Sequence, residues 1–141
     1  MISKATQFVV PLANKPGTLA RLCSVLGDAE VNIVGVFVPE AHGRAQAARV
    51  MAVDVAAARA ALRKAKIRFS EEEVLNVELD NKPGAFGEFA GKLARKKISI
   101  THAYATTAPF ARAGVVVAVS DIDKALAALK QKNIWDLGPP K

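Results

Sequence analysis

Asn14-Lys15-Pro16-Gly17 recurs as Asn81-Lys82-Pro83-Gly84, an offset of 67 residues, and that offset lays the whole chain on itself without a gap. Leu12 falls on Leu79, Leu26 on Leu93, Ile33 on Ile100, Val50 on Val117, Asp54 on Asp121, Leu62 on Leu129 and Ile67 on Ile134. Other apolar positions exchange like for like: Leu19 with Phe86, Leu22 with Phe89, Val31 with Ile98, Phe37 with Tyr104. A period that occurs only twice, each copy of small-domain length, implies two sibling domains rather than a solenoid. The boundaries read as 1–70 and 71–141, with Ser70 to Glu73 too short to act as a flexible linker.

Each copy reads in the same order. Gln7 to Leu12 is a short apolar run with β-branched residues, a strand. Asn14 to Gly17 closes it, and Leu19, Leu22, Cys23 and Leu26 then recur at helix spacing. Val31 to Val38 is a second strand stopped by Pro39, Glu40 to Gln46 a polar turn containing His42, and Ala47 to Val53 a third strand. Asp54 caps a helix from Val55 to Ala65, and Ile67 to Phe69 begins a fourth strand that runs on into the second copy. There the order repeats: strand Val74 to Leu79, helix Ala85 to Lys96, strands Ile98 to Thr106 and Gly114 to Val119, Asp121 capping a helix Ile122 to Lys132, and a short last strand Ile134 to Leu137. Two βαββαβ units, each an antiparallel sheet with both helices on one face, give an α+β fold of two tandem ferredoxin-like domains.

The totals set bounds. With 141 residues, 51% of them hydrophobic and 23% charged, the chain is globular rather than disordered. A unit of this length is near the lower limit for an independent core, so self-association as a homodimer is expected. No apolar run reaches the ~18 residues of a membrane span, and no signal-peptide pattern opens the chain. With a single cysteine, Cys23, no internal disulfide can form, and a cytoplasmic protein without membrane contact is the expectation. Cys23 lies on the apolar stripe of its helix and reads as a small buried hydrophobe. The net charge is +7, with cations at helix ends: Arg63, Lys64, Lys66 and Arg68 in one copy, Arg95, Lys96 and Lys97 in the other. They are either solvated charges that complement the helix dipole or a binding patch.

The repeated turn is the place for chemistry. Pro16 and Pro83 fix φ near the start of a helix, and Gly17 and Gly84 admit another backbone or a ligand. First-turn N–H groups at the positive end of a helix suit a carboxylate. Asn14 and Asn81 offer both a donor and an acceptor, and Asp80 adds an anion for an ammonium group. The ordinary alternative is turn and capping chemistry that a duplicated fold duplicates with itself.

With the βαββαβ order, the Asn-Lys-Pro-Gly turn after the first strand, and Val31-Asn32-Ile33 opening the second, both copies resemble the ACT domain. This family comprises small ligand-binding regulatory modules, many of which bind amino acids. The resemblance covers nearly the whole chain, which looks similar to the stand-alone tandem ACT proteins of bacteria, without an attached catalytic domain. It implies an amino-acid-binding regulatory protein, not an enzyme, with no cofactor, that acts on a metabolic enzyme. It also implies that the turn of one domain faces the second strand of a neighbour. The primary site would then hold Asn32, Ile33, Asp80, Asn81, Pro83, Gly84, Ala85 and Phe86, at the junction of the two domains. Its twin would hold Asn14, Pro16, Gly17, Thr18, Ser99 and His102. Where amino-acid-binding members often carry His two positions before the turn Asn, this chain has Leu12 and Leu79, which points to an apolar or aromatic ligand.

Other chemistries lack their residues. There is no phosphate-binding loop or dinucleotide fingerprint, two histidines and one cysteine give no metal-site spacing, and no nucleophile–base set can be ordered. Glu71 to Glu73 read as a solvated junction. RNA binding is the alternative class, since the same topology serves RNA recognition and the charge is basic. Against it, no aromatic-rich strand motif is present, and Phe86 and Phe89 fall on a helix. A ligand-free scaffold for a partner enzyme is the other alternative.

Overall fold

The computed structural model describes residues 1–41, 43, 45–106 and 112–136, with only the backbone for 45, 112 and 130–136. His42 and the end of the chain from Leu137 lie outside them. The elements are β1 (Ile2–Ala13), α1 (Thr18–Asp28), β2 (Ile33–Phe37), β3 (Ala45–Ala52), α2 (Val55–Lys64), β4 (Ser70–Asp80), α3 (Ala85–Arg95), β5 (Ile100–Thr106), β6 (Arg112–Val119) and α4 (Ile122–Asp136). They divide into two compact units, Thr6–Glu72 and Met1–Ala5 with Glu73–Lys141. The two long strands are each shared between the units.

In the unit Thr6–Glu72 the strand order is β2-β3-β1-β4, with β4 contributing only its start, Ser70 to Glu72. Phe8, Val10 and Leu12 alternate along β1 and pair antiparallel with Val50, Ala48 and Gln46 of β3. Alternate residues share one face of a strand, so this set faces the helices with Ala52, and Leu22, Leu26, Ala58 and Leu62 close the core over it. Burying a leucine fully contributes about 1.5–3 kcal/mol. At the rear of the same unit, Phe69 packs edge-on against Phe8, ring centroids 5.6 Å apart. Gln7, fully buried, donates to the Glu72 carboxylate, which also takes the Arg49 guanidinium at 3.3 Å.

In the other unit the order is β1-β4-β6-β5, and here β1 contributes its start. The register is the same one shifted by the repeat: Leu75 pairs with Val117 and Val77 with Val115, as Phe8 pairs with Val50 and Val10 with Ala48. Phe89, Leu93, Ala125 and Leu129 supply the helical half of this core. A β-bulge repeats as well, between Ile33 and Gly35 and between Ile100 and His102. It breaks the simple alternation that would place His102 on the face of Ile98 and Ile100; Ala103 packs on that core instead.

Helix ends follow from local chemistry. Asp54 accepts from Ala57 N–H and Asp121 from Lys124 N–H, both at 3.0 Å, as expected of caps. Three helices stop at a side-chain-bearing residue in the left-handed region: Glu30 (φ 59), Lys66 (φ 58) and Lys97 (φ 60). In each, the next residue's N–H reaches back to a leucine carbonyl: Val31 to Leu26, Ile67 to Leu62, Ile98 to Leu93. This is the Schellman closure, with its apolar residue seated on the last turn.

The last strand expected at Ile134 to Leu137 is overturned. Asn133, the counterpart of Lys66, does not stop its helix, and α4 runs on to Asp136. The fourth-strand position of this unit belongs to the beginning of the chain: Glu78 N–H donates to Met1 O at 2.9 Å, and Ile2 packs against the core. With that edge paired, residues 133–136 have no ladder to join and close their hydrogen bonds within the helix.

Candidate functional site

β1 ends at Ala13, and Lys15 N–H folds back to Ala13 O at 2.8 Å. Gly17 then stands at φ 92, and its carbonyl accepts the first helical bond from Arg21 N–H at 3.0 Å. After β4 the same steps recur: Lys82 N–H to Asp80 O at 3.0 Å, Gly84 at φ 86, Glu88 N–H to Gly84 O at 2.9 Å. Glycine is therefore the N-cap in both copies. Pro16 and Pro83 lie one residue outside the helix and not in its first turn, where they stiffen the turn. Apart from the glycine itself and its two chain neighbours, no atom of the described residues lies within 4 Å of where a Cβ on either glycine would stand. The left-handed φ favours glycine there, and no close approach of the chain's own backbone does.

Beside the second turn is a recess of about 210 Å³. Its walls are Leu79, Ala85, Phe89 and Leu129, with Met1 and Ile2 at one side. The charged residues Glu78, Asp80, Lys82, Glu88 and Lys92 border the same space. The counterpart beside the first turn, about 300 Å³, has Pro11, Leu12, Ala13, Thr18 and Leu22 for walls, with Arg21, Lys66 and Arg68. Among the described residues, one recess is thus bordered by both signs of charge and the other by cations alone.

Of the primary residues named from the sequence, Asp80 and Ala85 line the recess in their unit. Asn81, Pro83 and Gly84 form the exposed turn at its side. Phe86 is 40% exposed, its ring stacked on Phe89 with centroids 6.1 Å apart. Asn32 and Ile33 belong to the other unit; the Asn32 carbonyl accepts from Val53 N–H at 3.0 Å, and Ile33 packs on its own core. In the second set Thr18 lines the recess of its unit and its hydroxyl donates to Ala13 O at 2.9 Å, while Asn14, Pro16 and Gly17 are exposed. Ser99 and His102 sit in the unit of the second turn, Ser99 N–H donating to Ser120 Oγ at 3.1 Å and His102 half-buried on β5.

Lys82 belongs to the turn singled out from the sequence, whereas Glu78, Glu88, Phe89 and Lys92 were not named there as site residues. A signal for part of the set existed: Ala85, Glu88, Phe89 and Lys92 share one stripe of α3 at spacings of three and four. For Met1 and Ile2 no local pattern points to a recess 80 residues away in sequence. Among the described residues no cluster could hold a metal ion, and no helix is long and apolar enough to cross a membrane.

The fold is similar to that of solved structures. Protein BT0572 from Bacteroides thetaiotaomicron superposes with a TM-score of 0.85 at 26% identity, over 94% of this chain and 90% of that one. The ligand-free regulatory subunit of aspartate kinase from Thermus thermophilus gives 0.64 at 14% identity, over 93% and 94%. Aspartate kinase from Clostridium acetobutylicum, described as an allosteric enzyme, gives 0.52 at 11% identity, over 92% of this chain and 33% of that one. No curated protein matches the sequence. The repeated βαββα order, the doubled turn and a family match over residues 3–134 together show that the chain belongs to the ACT domain pair family.

Proposed function

We propose that the protein is a non-catalytic regulatory sensor that binds a free amino acid beside the turn Asp80 to Gly84 and passes its occupancy to a metabolic enzyme. The observation that carries this is the mixed charge of the recess. A zwitterion needs an anion for its ammonium and a cation for its carboxylate, and Asp80 with Lys82 and Lys92, all bordering the recess, supplies both signs. Leu79, Phe89 and Leu129 favour an apolar or aromatic side chain. The counterpart beside Asn14 has no carboxylate lining it, which supports the second turn over the first. The family supports the regulatory role, and the aspartate kinase structures support an enzyme as the partner. A homodimer is part of the same proposal, since β2 and β5 are edge strands and Val36 on β2 is 47% exposed.

A thermal-shift screen of the twenty amino acids tests the reading, because a ligand of the folded state alone stabilises it by about 2.7 kcal/mol at a hundred times its Kd. Asp80→Asn and Lys92→Gln should each weaken the hit about tenfold or more. Asn81→Ala and, in the other unit, Asn32→Ala decide whether those side chains join the site. No shift with any amino acid at millimolar concentration refutes the sensor reading in favour of the scaffold.

A further inference from the structure

Residue by residue, the repeat exchanges the lining of one recess for the lining of the other. Pro11 corresponds to Glu78, Ala13 to Asp80 and Arg21 to Glu88. Three carboxylates of the second recess are thus two neutral residues and a cation in the first. The first recess also adjoins another of about 510 Å³, with which it shares Pro11, Ile67 and Arg68. Arg63, Phe69 and Ser70 extend the lining there. Among the described residues, four cations, Arg21, Arg63, Lys66 and Arg68, border this pair of recesses, and no carboxylate does.

Two of those cations are already positioned. Arg21 Nη2 donates to Ala65 O at 3.3 Å, which holds its guanidinium against the end of α2. The Arg63 guanidinium lies 6.0 Å from the centroid of the Phe69 ring. The nearby Glu71 carboxylate is engaged by Arg59 through two hydrogen bonds of 2.6 and 2.8 Å. Arg63 also acts on Glu71, at longer range. A preorganised guanidinium fork suits the planar carboxylate or the phosphate group, and Pro11, Leu12, Ile67 and Phe69 provide an apolar floor.

We propose that the unit Thr6–Glu72 carries a second site, formed by Arg21, Arg63, Lys66 and Arg68, for a small organic dianion with an apolar body. The head group is a phosphomonoester or a pair of carboxylates. This site is independent of the amino-acid site and stands on different residues, so either can fail alone.

The experiment is isothermal titration of the full chain with phenyl phosphate and, separately, phthalate, at constant ionic strength in 150 mM chloride, about physiological. Saturable binding of either supports the site, and the tighter of the two identifies the head group. Arg68→Gln and Arg21→Gln should each weaken it about tenfold, while Lys124→Gln on α4 leaves it unchanged. All three cations are exposed, so the variants should fold. Equal weakening by Lys124→Gln, or no binding of either probe, overturns the proposal. A single-stranded RNA of a dozen nucleotides that binds when neither small anion does overturns it in favour of a nucleic-acid surface.

Discussion

Alanine at Gly84 isolates a single term. Nothing lies within 4 Å of its Cβ position, so the new methyl meets no neighbour and only the backbone angle, φ 86, resists it. Left-handed backbone costs an L-residue about 1–2 kcal/mol. The reduced freedom of the unfolded chain returns about 0.4–1 kcal/mol, for a net loss near 1 kcal/mol. Gly17→Ala, at φ 92 and equally open, should lose the same. Gly87 provides the control. It lies inside α3, is equally open and has no left-handed φ, so Gly87→Ala should gain about 0.5–1 kcal/mol from helix propensity and entropy. Conversely, Lys66→Gly, at φ 58, should not show the helix-interior loss, because it relieves the strain. The assay is equilibrium urea denaturation at unchanged slope, where 1 kcal/mol moves the midpoint by about 0.5 M if m is about 2 kcal/mol/M. Gly84→Ala as stable as the parent, or Gly87→Ala losing as much as Gly84→Ala, would refute the claim that φ selects glycine at the turn.

Leu62→Ala and Leu129→Ala, counterpart positions buried to 1% and 2% exposure, should each cost about 2–5 kcal/mol in the same denaturation experiment. Arg59, first through its hydrogen bonds and then through its charge, holds the Glu71 carboxyl below its ordinary 4.5, against an opposing effect of desolvation. The folded state then binds fewer protons than the unfolded one between the folded pKa and 4.5, so this contribution is present above about pH 4.5 and is lost as pH falls through the folded value. Stability measured against pH should therefore fall less steeply on the acid side in Glu71→Gln than in the parent, and the difference should shrink in high salt. Sedimentation velocity at high micromolar concentration should show a dimer; a clean monomer refutes the self-association proposal.

Periodicity made most of the fold legible. Apolar residues of the repeat mark the buried faces, so the offset that aligns Phe8 with Leu75 and Val50 with Val117 also carries the strand register. Two features were out of reach. The bulge after Ile100 adds a residue on one strand, and no side chain there announces it. The fourth strand of the second copy was misplaced because Leu129 and Ile134 match Leu62 and Ile67, the pair that closes α2. That pattern describes a helix end only if a strand can follow. The ladder it needs is paired to Met1 to Ala5, from the opposite end of the sequence, and local reading has no access to that.

The site was legible in its frame and not in its walls, and solvent explains the difference. The turn is bound to the fold: the φ of Gly17 and Gly84 and the step into the helix admit few residues, so both copies spell it alike. The positions at the rim, 11 and 78, 13 and 80, 21 and 88, are exposed or only partly buried. A change of charge there costs the fold little, because an exposed ion stays hydrated. Identity between the copies therefore marks what folding requires, and difference at the rim marks where folding leaves the residue free to vary. Asp80 stood out beforehand because its counterpart is Ala13. The same comparison, Arg21 against Glu88, separates a cationic recess from a mixed one in the sequence itself.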